Sequence, residues 1–508
     1  MRKILILIGF LAMTLAAAAT DYTDRLDVSV SGVPTASQSA TIGLTQQSNG
    51  KYTLLLKNFT IAIGGSPMGI GTIEVNDITG VTTDGVTTLI ADQVVPIKEG
   101  DTASPSGTWV GPTMLGSVPV KLIGEQRDNQ LYSIIDIDLQ SKLGMTVRVT
   151  FGHGGYQLPN ADFELFHKEK AIDEPNHWHS FASCQGTWAS MVSGTPHTFV
   201  SDVVRPGTAG KHSVLVTATK ILSFVANGTL TTGRMNAGDF SATSTKNNAQ
   251  LDMSATAVDA NGDPFHTAIN AVPDALKLWV KFKQGTPSTQ YPYASVNAVV
   301  TDGTYYQDPE DKTYTNVAAR AKNNTIATNG YAWQEITVPF AKVSDAVAPK
   351  ALLVTISTNA TPGQGGLDTL YIDDLSLEYR QDITVSGVSV KGQALTVADA
   401  MTRNGLDGVA VTPEDIVFTT AAPKVIKSLE KTATGVVATV TVASTDLKTF
   451  KTYTINIPSA TTGISAVTAT TPDAAAVYTL QGHRVSRMQA GNVYIVKQNG
   501  KAVKMIAR

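Results

Sequence analysis

The sequence predicts an all-β chain of several domains, and three observations carry that prediction. Ordered-looking stretches alternate apolar and polar residues with the period of a half-buried strand. Met145, Val147, Val149 and Phe151, for example, interleave with Thr146, Arg148 and Thr150. Hairpin-type dipeptides punctuate these runs at Asn49-Gly50, Asp84-Gly85, Asn227-Gly228, Asn261-Gly262, Asp302-Gly303 and Asn499-Gly500. Long helical periodicity is missing, and the helices expected are short, such as Thr396 to Arg403.

Residues 1–19 read as a secretory signal peptide. Arg2 and Lys3 precede an apolar run from Ile4 to Leu15, and Ala16 to Ala19 supply the small residues of a cleavage site. The run is shorter than the ~20 residues a bilayer core requires. The mature chain is expected to start near Thr20, without the cysteine of a lipid-anchored signal. This predicts export in a Gram-negative cell, to the periplasm, the cell surface or the medium. No later segment reads as a transmembrane span. Charged residues make up 16% of the chain with a net charge of −3, below the ~25% of average globular proteins. Such a balance carries no electrostatic footprint for nucleic acid or an anionic membrane. The single cysteine, Cys184, excludes an intramolecular disulfide and reads as a small buried hydrophobe rather than a nucleophile.

A chain of 508 residues has room for about three or four domains. The first runs over residues 22–152 and holds eight strand candidates: Arg25–Ser31, Ala40–Gln47, Tyr52–Ile63, Ile70–Ile78, Thr88–Val95, Val118–Gly124, Leu131–Leu139 and Met145–Phe151. Antiparallel strands joined mostly by short turns fit an up-and-down barrel, because closure removes exposed edges. The stretches Gly50–Phe59, Gly71–Asp77 and Leu122–Gly124 carry a resemblance to the calycin-like, lipocalin-related β-barrel family of exported proteins. Such a barrel either fills its interior with side chains or holds one small ligand, and a filled interior is the expectation.

The second domain covers residues 158–379. It opens with Asn160–Glu164, passes through His177-Trp178-His179, Lys277–Lys281 and Trp333–Phe340, and closes with Leu367–Tyr379. These phrases resemble the jelly-roll family named "putative carbohydrate metabolism domain", itself similar to carbohydrate-binding modules. The resemblance implies a β-sandwich with a glycan as partner. Strand patterns at Thr384–Val390, Val436–Val442 and Thr452–Ile457 fit a small immunoglobulin-like sandwich over residues 382–458. A linker is expected at 459–475, rich in Thr, Ser, Ala and Gly. The last segment, 476–508, is expected to form three strands from Val477–Val485, Gly491–Val496 and Gly500–Lys504. It resembles the C-terminal sorting domain of the type IX secretion system, with His483 where the family usually has Gln, which implies secretion machinery as a partner.

No nucleophile elbow, zinc-binding His-Glu-x-x-His helix or phosphate-cradling loop is present in the sequence. A glycosidase needs only two carboxylates about 5–10 Å apart, which spacing in a β-sandwich sequence does not reveal. Six of the eight histidines lie between His153 and His212. On a strand His177 and His179 would share a face, as paired metal ligands do, or as two solvated positions with Trp178 in the core. No third ligand stands at a recognisable spacing.

Sugars stack their C–H faces on exposed rings, and Tyr291, Tyr305, Tyr306 and Tyr314 sit in turn-like context near Asp308 and Asn316. These six residues form the expected carbohydrate-binding site. Tyrosines covering loop bases with wet hydroxyls are the alternative. Trp279 and Trp333 alternate with polar neighbours and read as core. Related sugar-binding jelly rolls tie their first and last strands with a structural Ca²⁺. Here that resemblance points to Asp162 and Glu164 on the opening strand and to Asp373 and Asp374 on the closing one. The functional expectation is a non-catalytic glycan-binding protein of the envelope, with a glycan-active hydrolase and a structural adhesin as alternatives.

Overall fold

A computed structural model describes residues 19–63, 66–406, 409–458, 476–498 and 501–507. The expected signal segment and linker lie almost wholly outside these residues. The chain is all-β, 53% strand and 4% helix. Eight strands form the first domain: β1 (Ala19–Val30), β2 (Gln38–Gln46), β3 (Tyr52–Ile63), β4 (Ser66–Thr83), β5 (Val86–Lys98), β6 (Ser117–Arg127), β7 (Gln130–Leu139) and β8 (Met145–Phe151). Each pairs with its sequence neighbour, and β1 pairs with β8 from Leu26↔Phe151 to Val30↔Val147, so the barrel closes. Val33–Pro34 adds a short pairing to the end of β1.

Strand alternation fills the interior with Leu26, Ile42, Leu54, Ile73, Leu89, Val120, Ile135 and Val149, all essentially inaccessible. A void of ≈10 Å³ lies among Phe59, Ile73, Val118 and Ile137, room for about one water molecule. The other face of β5, β6 and β7 carries an apolar patch. Ile90, Ile123, Tyr132 and Ile134 belong to the same buried cluster as the core of the second domain.

The junction is close-packed. At Gly154 a β-carbon would lie 2.6 Å from the Tyr132 ring, and at Gly155 one would lie 2.4 Å from Asn270 Nδ2; both glycines have positive φ. Tyr156 Oη donates to Glu125 Oε2 over 2.6 Å, while Lys424 Nζ reaches Glu125 Oε1 at 2.5 Å and Tyr156 Oη at 2.7 Å.

The second domain is a sandwich. Its strands are β9 (Phe166–Glu169), β10 (Ile172–Pro175), β11 (Thr198–Ser201), β12 (Ser213–Thr217), β13 (Thr229–Thr231), β14 (Ala275–Lys283), β15 (Ala294–Thr301), β16 (Val317–Ile326), β17 (Gln334–Pro339), β18 (Ala351–Ser357) and β19 (Thr369–Glu378), with shorter pairs between. One sheet runs β11-β12-β19-β14-β17. The other runs β13-β18-β15-β16 and ends on Ala341–Lys342, with Thr267–Ala268 also pairing β18. Leu276, Leu278, Val280, Phe282, Leu370 and Ile372 of the first sheet face Val296, Ala298, Val300, Leu352, Val354 and Ile356 of the second in one core.

Several expectations are corrected by the fold. Residues 160–162 form a turn and 163–164 have no regular structure, so no opening strand forms there. Asn160 takes φ +47°, and its side chain bonds Leu165 N, Leu165 O and Asn176 O, which fixes a local loop. Trp279 is not core, because on β14 the fully buried parity belongs to Leu276, Leu278, Val280 and Phe282. Its ring lies outward under the Arg205 guanidinium at 5.4 Å. Trp333 is likewise half-buried, edge-on to Tyr371 at 6.2 Å.

The chain divides into two compact units. One holds the barrel and sandwich with 422–426 and 442–450, and the other holds 384–421, 427–441 and 451–508. In the second unit Val385–Val390 lies between Gln393–Leu395 and Ile416–Thr420. The expected helix at Thr396–Arg403 is instead extended. Ala400–Thr402 pairs in parallel with Phe450–Pro458, which buries Met401. The last segment is a four-stranded sheet, not a three-stranded one, since a turn at Gly482 splits Ala476–Thr479 from Arg484–Val485. Among the described residues no helix is long and apolar enough to cross a membrane.

Candidate binding cleft

An open cleft of ≈310 Å³ lies on the outer face of the sheet containing β15, β16 and β18. Strand parity makes its floor polar. Ser295 and Asn297 alternate with buried Ala294, Val296 and Ala298, and Thr355 and Ser357 alternate with buried Val354 and Ile356. Lys322 and Asn324 of β16 join them.

The wall is aromatic. Trp188 packs against Phe240 with centroids 5.5 Å apart, and Phe240 meets Phe224 edge-on at 4.7 Å. Phe224 is 50% exposed and Phe240 47%, so two large rings stand in water beside a concave polar surface. Phe224 comes from the Thr219–Ile221/Phe224–Ala226 hairpin. Phe240 comes from a loop that Asp239 and Asn247 hold: Asn247 Oδ1 accepts Gly238 N and Asp239 N, and Asp239 Oδ1 accepts Ser241 N.

Two carboxylates line the cleft, Asp239 and Asp308. Burial lifts the Asp308 carboxyl above the ordinary aspartate value, against the opposing pull of Asn297 and the Lys322 ammonium. Asp239 is held below its usual value, chiefly by the hydrogen bond from Ser241 N.

Of the six expected glycan-binding residues, only Asp308 lines this cleft. Tyr306 is wholly inaccessible and Tyr314 is 8% exposed; their rings pack 4.9 Å apart in a small core with Met235, Leu251 and Leu353. The turn signal Asp302-Gly303 reverses the chain, but the tyrosines after it fold inward. Tyr305 is exposed, and its hydroxyl bonds Gln250 Oε1 and Gln307 Oε1. Asn316 holds that loop by donating to Thr304 Oγ1 and Tyr305 O. Tyr291, half-buried, offers its carbonyl to Asn359 Nδ2.

The four residues expected to bind Ca²⁺ do not assemble. Asp162 pairs with Arg25 at 2.7 Å, and Glu164 Oε1 accepts Lys211 N and His212 N. Asp373 accepts Arg205 N, and Asp374 pairs with Arg205 Nε at 2.5 Å. Asp162 and Glu164 thus have separate partners, while Asp373 and Asp374 share Arg205; Asp373 Oδ1 is buried without a hydrogen bond, and burial pushes that carboxyl up to about 7. Cys184 is buried, which pushes its thiol up to about 11 and leaves it unreactive.

No curated protein matches this chain. Solved structures share parts of it at low identity. One from Bacteroides thetaiotaomicron, described as a "putative glycoside hydrolase", is 14% identical over 63% of this chain and 92% of its own, with a TM-score of 0.33. A mannohexaose complex of a carbohydrate-binding module from Caldicellulosiruptor saccharolyticus is 11% identical over 38% of this chain and 88% of its own, with a TM-score of 0.17. Residues 18–153 match the family model described as "Calycin-like beta-barrel domain", so the N-terminal domain of this chain is a calycin-like barrel.

Proposed function

We propose that this chain is an exported protein that binds glycan in the sandwich cleft without cleaving it. The observation that carries the reading is the pairing of exposed Phe224 and Phe240 with a floor of Asn297, Lys322, Asn324 and Asp308. Rings take the C–H face of a pyranose, and amides, ammonium and carboxylate take its hydroxyls. The cleft is open, so affinity is the small surplus over lost translational freedom. Binding on the order of −4 to −8 kcal/mol, millimolar to micromolar, is expected.

The test uses the full chain on a glycan array, followed by calorimetric titration of the hits. Phe224→Ala with Phe240→Ala should weaken binding about tenfold or more while leaving the melting temperature unchanged. Tyr305→Ala should bind as wild type. Equal binding by the double phenylalanine variant, or silence against a broad panel, ends this reading.

Hydrolysis is the second reading, favoured by the opposed shifts of Asp308 and Asp239. A raised acid and a lowered carboxylate lining one cleft match the division of labour of a glycosidase. Reducing-sugar release abolished in Asp308→Asn would establish it. Export itself is tested by N-terminal sequencing of protein from the envelope fraction, which should begin near Thr20. The sorting role of the tail is tested by deletion after Thr462, which should leave the processed protein in the periplasm, short of the cell surface or medium.

A further inference from the structure

Away from the cleft, four side chains direct their free atoms at one another. His167 lies on β9, Glu174 on β10, His179 in the bridge to Thr231, and Asp259 in the loop that the Val258↔Pro264 bridge closes. Asp259 Oδ2 is 3.4 Å from His167 Nε2 and 3.5 Å from His179 Nδ1, and Glu174 Oε2 is 4.0 Å from His167 Nε2. The facing atoms of Glu174, His179 and Asp259 all lie within 4.8 Å of one another. Glu174 and His179 are wholly inaccessible, as is the Asp259 side chain. None of the four facing atoms has a hydrogen bond.

Each residue's other polar atom is held in place. His167 Nδ1 meets Asn176 Oδ1 at 3.2 Å, and His179 Nε2 meets Pro264 O at 3.2 Å. Glu174 Oε1 accepts Ser180 N, Ser180 Oγ and Ser183 Oγ, and Asp259 Oδ1 accepts Asn261 N and Asp263 N.

The tautomers follow from these bonds. Each imidazole donates outward to an oxygen, so the nitrogen facing the cluster carries a lone pair. Two imidazole lone pairs and two carboxylate oxygens therefore converge in a dry space, where they repel one another until a proton or a metal cation stands between them.

We propose that His167 Nε2, His179 Nδ1, Glu174 Oε2 and Asp259 Oδ2 ligate a divalent transition-metal ion of the zinc class. Bonds of about 2.1 Å in a tetrahedron separate neighbouring ligands by about 3.4 Å, which matches the 3.4 and 3.5 Å from Asp259 Oδ2 to the two imidazoles, while Glu174 Oε2 stands farther out, 4.0 Å from His167 Nε2. Two nitrogens and two oxygens suit zinc, whereas Ca²⁺ takes six to eight oxygens. The outward hydrogen bonds are the supports that fix ligand orientation. With four protein ligands and no access to solvent the role is structural: the ion joins the β9–β10 hairpin, the segment at His179 and the loop at Asp259.

His177, which the sequence pairs with His179, is not part of the set. It takes φ +65° and turns to Asp263 Oδ1 at 3.0 Å.

The test is metal analysis of the full chain purified after growth with zinc, then stripped with a chelator and reloaded with Zn²⁺ or Co²⁺. About one equivalent per chain is expected, with a melting temperature that falls on stripping and recovers on reloading. Co²⁺ should give the intense visible absorption of a tetrahedral site. Asp259→Asn keeps the oxygen that accepts the two loop amides and should lose metal affinity by about 100-fold or more, as should His179→Ala. Should a variant fail to fold, stripping and reloading the wild type decides the matter. Less than about 0.1 equivalent after reloading, with no change in melting temperature, overturns the proposal. So does undiminished metal in folded Asp259→Asn.

Discussion

Replacing Lys424 by Met should destabilise the larger unit, and the geometry sets the size of the effect. Glu125 is 6% exposed and Lys424 25%, so the carboxylate is desolvated and the ammonium is its nearest compensating charge. Removing one partner of a buried pair costs about 3–5 kcal/mol, because the other charge is left uncompensated. Here Tyr156 Oη still donates to Glu125 Oε2, and Arg127 Nη2 lies 3.9 Å from the same oxygen. Those residual partners lower the expected cost to about 2–3 kcal/mol. For a unit of roughly 400 residues, unfolding entropy is on the order of 0.8 kcal/mol/K, so the midpoint should fall by about 3 °C. Adding Glu125→Gln removes the stranded charge while keeping an acceptor for Tyr156. The double variant should return to within about 1 kcal/mol of wild type. Calorimetry of the two variants is the assay. A single variant costing under about 0.5 kcal/mol, or a double variant as unstable as the single, refutes the reasoning.

Tyr306→Ala should cost about 3–5 kcal/mol in thermal melts, as for a buried aromatic elsewhere, whereas exposed Tyr305→Ala should cost under about 1 kcal/mol. Leu54→Ala, in the filled barrel, should cost about 2–5 kcal/mol in urea unfolding. With its thiol pushed up to about 11, Cys184 is almost wholly protonated at about pH 8. Ellman's reagent should therefore label it only after denaturation; rapid labelling of the native chain would contradict its burial.

The barrel is legible in sequence because alternation over Met145–Phe151 and its counterparts fixes which residues share a face, and closure comes with sequential pairing. Parity alone does not say which face is the core, and that is why Trp279 reads as core while Leu278 and Val280 beside it are the fully buried residues. The tyrosines mislead for a related reason. Asp302-Gly303 marks a turn, but whether Tyr306 then points out or in is decided by Met235, Leu251 and Leu353, which are distant in sequence. The cleft draws Trp188, Phe224 and Phe240 from three separate segments, and no local spacing records that they meet. The histidine cluster is half visible at His179. Its carboxylates, one on β10 and one some eighty residues later, are joined only by the fold.

Packing of Ile90, Ile123, Tyr132 and Ile134 into the neighbouring core makes the barrel's outer wall a fingerprint of the domain fused to its C-terminal side. A calycin-like barrel that stands alone has water against those positions on β5, β6 and β7, and polar side chains suit it there. A barrel spliced to a sandwich in this manner requires apolar ones, together with small residues where Gly154 and Gly155 pass Tyr132 and Asn270. Barrel sequences should therefore sort into two populations at these sites according to their downstream partner. Grafting a solitary barrel onto this sandwich should yield an insoluble chimera until the four outward positions are transplanted with it.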